Sequence, residues 1–123
     1  VAVPNLLELL APNSLLLLSD TEFGQLPQYG GNEAVAVGKS CLAISASPEI
    51  PTRVEIHQGS KVDKDGFVTL WDGHLDVPSE VLTLSTIYWE TLARISTPPR
   101  VHIRISGDDS GEPTHLIIEV IPS

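Results

Sequence analysis

The chain is poor in several residue types, and each shortage narrows what it can be. Its single cysteine, Cys41, excludes an intramolecular disulfide and fits a reducing cytoplasm. Aromatic residues make up only 5% of the 123 residues, and there is no methionine at all. Basic residues are scarce too, seven Lys and Arg against sixteen Asp and Glu, for a net charge of -9. That deficit works against binding phosphate backbones or anionic lipid, so neither nucleic acid nor a membrane is expected as partner. No apolar stretch is long enough to span a bilayer: Pro12 and Asn13 cut the Leu-rich segment between Leu6 and Leu18. The first residues, Val1-Ala-Val-Pro-Asn5, carry no basic n-region and read as no secretion signal.

What is present is interruption and alternation. Ten prolines and nine glycines favour short strands over long helices, and the length suits one domain that buries a single core without metal or disulfide staples. Leu6, Leu7, Leu9 and Leu10 read as a helical turn or two between Pro4 and Pro12. Ser14 to Ser19 reads as a strand buried on both faces. Residues 20 to 32 form a broken loop holding Phe23 and Tyr29, and a loop aromatic such as Tyr29 is a candidate interface anchor. Ala34 to Val37 and Cys41 to Ser45 are two short strands or one bent at Gly38. Thr52 to Gln58 alternates Val54 and Ile56 inward with Arg53, Glu55 and His57 outward. Phe67 to Trp71 is a strand, Asp72-Gly73 a turn, and Leu75 to Ser79 and Val81 to Ser85 two more strands around Pro78. Ile87 to Ala93 suits helix or strand, with strand preferred. A hairpin closes the chain: Val101, Ile103 and Ile105 alternate with Arg100, His102 and Arg104, and beyond the turn Gly107 to Gly111 come Leu116, Ile118 and Val120.

About eight short strands at intervals of roughly eight to twelve residues describe an all-β protein, a single-domain antiparallel β-sandwich spanning residues 1 to 123. A closed barrel is less well matched, because the N-terminal apolar run is short for a tilted barrel strand.

Motifs with chemical content are sparse. Gly38-Lys39-Ser40 is no phosphate loop, since Glu33 stands where the upstream glycine belongs and no helix follows. Asp63-Lys-Asp65-Gly66 opens like a calcium loop, but His74 occupies the place of the closing glutamate. His74 and Asp76 would share one strand face, as two metal ligands must, yet no third ligand is evident. Gly-x-Ser-x-Gly is absent, so no nucleophile elbow exists. Asp108 and Asp109 sit in a turn, where carboxylates satisfy backbone N–H groups. Arg100, His102 and Arg104 put three basic side chains on one face at about 7 Å intervals. They would bind an anion, or answer the chain's own Glu112 or Glu119 across the hairpin.

The order Leu75-Asp-Val-Pro-Ser79, Val81 to Leu84, Pro99-Arg-Val-His-Ile-Arg-Ile105 and His115-Leu-Ile-Ile-Glu-Val-Ile-Pro122 resembles small bacterial β-sandwich proteins of the competence protein J type, inhibitors of a DNA-entry nuclease. The resemblance spans Ala34 to Pro122 and rests on strand order and spacing. It departs where relatives carry Gly and an aromatic beside the basic strand and this chain has Pro99-Arg100-Val101. What it implies is a fold without catalysis that recognises or occludes another protein; it carries over no inhibitory residue.

The expected function is therefore a non-catalytic interaction module with no cofactor, possessing acidic loops for a basic protein partner such as a nuclease. Asp63, Asp65, Asp72, His74, Asp76, Asp108, Asp109 and Tyr29 are its candidate contacts. One alternative is a small-molecule or carbohydrate binder with Trp71, Tyr88 and Trp89 lining a groove. A metal-dependent hydrolase centred on His74 and Asp76 is the remote one.

Overall fold

The computed structural model describes residues 6–10, 15–22, 24–25, 34–47, 50–59, 65–111 and 113–122. Ten strands account for most of them: β1 (Leu6–Leu9), β2 (Leu15–Asp20), β3 (Val35–Gly38), β4 (Cys41–Ser45), β5 (Thr52–Gln58), β6 (Val68–Asp76), β7 (Val81–Thr86), β8 (Thr91–Ser96), β9 (Arg100–Gly107) and β10 (His115–Pro122). They form two five-stranded sheets, β1-β5-β10-β9-β6 and β3-β4-β2-β7-β8. Every pairing is antiparallel except β5 with β10, which run parallel. No helix among the described residues is long and apolar enough to cross a membrane.

The two sheets bury their facing sides against each other. Val54, Ile56, Val101, Ile103, Ile105, Leu116, Ile118 and Val120 from the first sheet meet Leu16, Leu18, Leu42, Ile44, Leu82, Leu84 and Ile95 from the second in one core. Alternation along β5 and along β9 as far as Ile105 supplies this face, because successive side chains leave a strand on opposite sides. β2 alternates less because it is central in its sheet and covered on both faces. Leu16 and Leu18 enter the main core, whereas Leu17 joins Ala36, Cys41 and Ala43 in a second buried cluster. Burial pushes the Cys41 thiol up to about 11, as befits a small core residue.

Four expectations change. The strand count is ten rather than eight, partly because Leu6 to Leu9 is a strand and not a helical turn. Its backbone pairs with Glu55 to Thr52 of β5, a partner the local sequence does not reveal. Asp72-Gly73 is no turn; β6 runs unbroken from Val68 to Asp76. A bulge between Thr69 and Trp71 turns both Leu70 and Trp71 toward the core. Ile87 to Glu90 is a turn, with strand structure resuming only at Thr91. Finally, the sheet is not wholly antiparallel, since β10 inserts between β5 and β9.

Connections gather at two ends. At one, Val77 N–H donates to Pro99 O at 2.6 Å and joins the β6–β7 link to the β8–β9 link. There the buried Asp20 carboxylate accepts from Ser79 N–H and Ser79 Oγ, both at 2.9 Å, and from Glu22 N–H at 2.8 Å. At the other end, Ser47 N–H donates to Pro113 O at 3.1 Å, tying the β4–β5 link to the β9–β10 loop.

Candidate protein-interaction surface

All four histidines lie on the outward face of the first sheet. The register sets Asp76 opposite Arg100, His74 opposite His102 and Asp72 opposite Arg104, with Glu119 flanked by Arg104 and His57. Asp72 is the hub: Oδ2 accepts from Arg104 Nε at 2.9 Å, and Oδ1 meets His102 Nε2. Arg104 also reaches the buried Glu119 at 3.9 Å, and Arg100 approaches Asp76 at 3.9 Å. Hydrogen bonds from Arg104 and then His102 hold the Asp72 carboxyl below the usual range, and the same contact raises Arg104. On the neighbouring strands Glu55 bridges His57, at 3.1 Å, and His115. Partial burial alone would raise the Glu55 carboxyl, but these two imidazoles outweigh it and keep it low.

The basic row of β9 is thus answered within the chain, by Asp72 and Asp76 of β6 as well as by Glu119; Glu112 lies outside the described residues. His74 and Asp76 do share a face, and His74 stacks on His102 with ring centroids 5.1 Å apart. Among the described residues no group of three or more His, Cys, Asp or Glu is placed to hold a metal ion.

The loop from Gly107 to Thr114 is built around Asp108. Its Oδ1 accepts from the N–H groups of Thr114, at 2.9 Å, and His115, at 3.1 Å, and its Oδ2 accepts from Thr114 Oγ1 at 2.7 Å. Burial would raise this carboxyl, yet those hydrogen bonds prevail and lower it. Asp109 Oδ2 accepts from Gly111 N–H at 2.9 Å. Both aspartates remain exposed, so two fixed negative charges stand at this end, with exposed Asp65 in the turn ahead of β6. A side chain at Gly107 would press on Leu70 and Pro113, each 3.0 Å from the added carbon, so the loop's entry is tightly packed. Asp63 and Tyr29, also expected as contacts, lie outside the described residues.

A feature missed in the sequence shares this end. Seven large apolar side chains are exposed among the described residues, and five of them, Leu10, Ile50, Val68, Tyr88 and Trp89, emerge from the connections and strand starts here. The described connections at this end contribute Asp65, Glu90, Asp108 and Asp109 but no Lys or Arg. Nothing local marks Leu10 or Ile50 as exposed; only the topology brings them together. The aromatic groove envisaged from Trp71, Tyr88 and Trp89 is not assembled, because Trp71 packs inward over Gly73 on β6 while Tyr88 and Trp89 project from the β7–β8 turn of the other sheet. The opposite end holds an open cavity of about 370 Å³ lined by Glu22, Gly24, Gln25, Lys39, Ser40 and Pro78.

Two packed five-stranded sheets make this the all-β sandwich that the strand spacing implied, with one parallel pairing that it did not. Its fold is similar to that of a solved structure titled "Crystal structure of ComJ, inhibitor of the DNA degrading activity of NucA, from Bacillus subtilis". The two superimpose with a TM-score of 0.74 over 99% of this chain and 98% of that one, at 12% sequence identity. At that identity the likeness is one of fold, and it meets the competence protein J resemblance at that level. No protein-family model and no curated protein matches the chain.

Proposed function

We propose that this chain is a non-catalytic protein-interaction module of the inhibitor type, which docks through its Asp108 end onto a basic protein and occludes it, a nuclease being the first candidate. One observation carries the reading: exposed apolar side chains and fixed carboxylates share an end whose described connections hold no cation. Apolar contacts surrounded by charge are the composition of a docking patch, and a surplus of negative charge steers a partner of the opposite sign. The charge of -9 and the shared fold with an inhibitor of a DNA-degrading enzyme point the same way. Asp65, Asp108 and Asp109 are the proposed steering groups. Asp72, His74 and Asp76 run from there along β6 toward the opposite end, where Asp76 faces Arg100, and their contacts with Arg100, His102 and Arg104 hold that face near neutrality.

The test is DNA degradation by the NucA-type nuclease of the same genome, titrated with the purified chain. Stoichiometric loss of degradation is expected, with association slowing as salt rises. Undiminished degradation at excess chain, or a genome without such a nuclease, would refute the nuclease reading.

A further inference from the structure

The turn between β7 and β8 carries the two most exposed aromatic side chains among the described residues: Tyr88 is 66% exposed and Trp89 53%. Thr86, itself buried, holds the turn from four directions. Its carbonyl accepts from Trp89 N–H at 2.9 Å, and its N–H donates to Glu90 O at 3.1 Å. Its Oγ1 accepts from Tyr88 N–H at 3.2 Å and Glu90 N–H at 3.4 Å. The Thr86–Glu90 pair therefore closes a three-residue loop, Ile87-Tyr88-Trp89, whose third position is left-handed, with Trp89 at φ 62°. Glycine ordinarily fills that position, because a side chain there crowds its own carbonyl. A tryptophan costs about 1 kcal/mol or more in such a conformation. The turn would be better served by glycine, so the fold gives no reason for an indole half in water.

We propose that Tyr88 and Trp89 form a preformed anchor that seats in an apolar pocket of a basic-rimmed protein surface. The inference rests on the reading above that the partner is basic, and it names the side chains that hold it. Aromatic residues dominate interface energetics because each buries roughly 150–250 Å² with few rotors to freeze. Strain kept at a position where it does not help the fold is typical of binding sites. The rim is matched in charge: Glu90 adjoins the pair, and Asp65, Asp108 and Asp109 occupy the same end of a chain whose net charge is -9. That sign disfavours a second copy of this acidic chain as the occupant and favours a cationic protein.

The test places the photoreactive residue p-benzoylphenylalanine at position 88, or at position 74 on the sheet face, in the chain expressed in cells of its source organism. Irradiation is expected to join position 88 to one protein of basic isoelectric point. With that protein and the chain both purified, Trp89→Ala is expected to weaken binding about 30-fold or more, chiefly through faster dissociation. Trp89→Gly should weaken it equally while the urea midpoint stays at or above that of the parent, which separates anchoring from folding. Crosslinking to a second copy or to an acidic protein, crosslinking from position 74 alone, crosslinking from neither position, or unchanged affinity in both variants would each overturn the proposal. A basic partner that is no nuclease, captured at position 88 and lost with Trp89→Ala, upholds the anchor and overturns the nuclease reading. Nuclease inhibition that survives both Trp89 variants does the reverse.

Discussion

Gly73→Ala tests how tightly the edge of the first sheet is fitted. Gly73 sits inside β6 with no positive φ, so its backbone would accept alanine without strain. Space is the obstacle, since the added carbon would lie 2.7 and 2.9 Å from two ring atoms of Trp71, inside van der Waals contact. The indole must tilt away or β6 must shift, and overpacking of this kind costs about 1–3 kcal/mol. Alanine recovers about 0.4–1 kcal/mol by restricting the unfolded chain. A net loss of about 1–2 kcal/mol is expected, read as a lower urea midpoint at unchanged slope and a melting temperature lower by roughly 5 °C. The sign should reverse in a Trp71→Leu background, where no ring is left to strike: there Gly73→Ala should be neutral or stabilising by about 0.5 kcal/mol. The resulting coupling, about 1–2.5 kcal/mol, comes from a four-protein cycle followed by far-UV circular dichroism. Equal penalties in the two backgrounds would show that the ring contact is not the cause.

Trp89→Gly relieves a left-handed tryptophan and should raise folding stability by roughly 1 kcal/mol in urea titration; a loss would mean the indole supports the fold. Glu55, Asp72 and Asp108 all have carboxyls held below their ordinary values. Each therefore adds stability that is complete above the unfolded value of about 4 and is lost as pH falls through the lowered one. Urea midpoints should accordingly drop below about pH 4, less steeply in Glu55→Gln, and an identical acid limb in that variant would contradict the assignment. Cys41, buried with its thiol pushed up to about 11, should stay unmodified by a thiol reagent at pH 8 in the native protein and react fully in urea.

Where a strand's identity is written in its own residues, the sequence predicts it well. β2 announces itself by its continuous leucines, and β5, β9 and β10 by alternation at period two. The failures come from partners far away or from residues with two uses. β1 is a strand because Leu6 pairs with Glu55, a relation that no window around Leu6 contains. Asp72-Gly73 has the composition of a turn, yet the glycine is there to make room for the Trp71 ring and the aspartate to receive Arg104. The acidic loop at Asp108 and its backbone-capping role were legible, since aspartate beside glycine behaves this way in many turns. The association of that loop with Leu10, Ile50, Val68, Tyr88 and Trp89 was not, because it is created by five chain segments meeting at one end.

The parallel pairing of β5 with β10 also dictates an order of assembly. Every strand of the second sheet has left the ribosome once Ser96 emerges, whereas the first sheet must wait for residues 115 to 120 to slide between β5 and β9. Until then β1 with β5 and β9 with β6 are two separate ribbons, and the leucines of β2, β4 and β7 have no opposing sheet to cover them. A nascent chain stalled before His115 would accordingly display a finished but naked half-sandwich, a natural target for chaperones. The closing hairpin acts as a latch whose arrival turns two fragments and a sheet into one cooperative body.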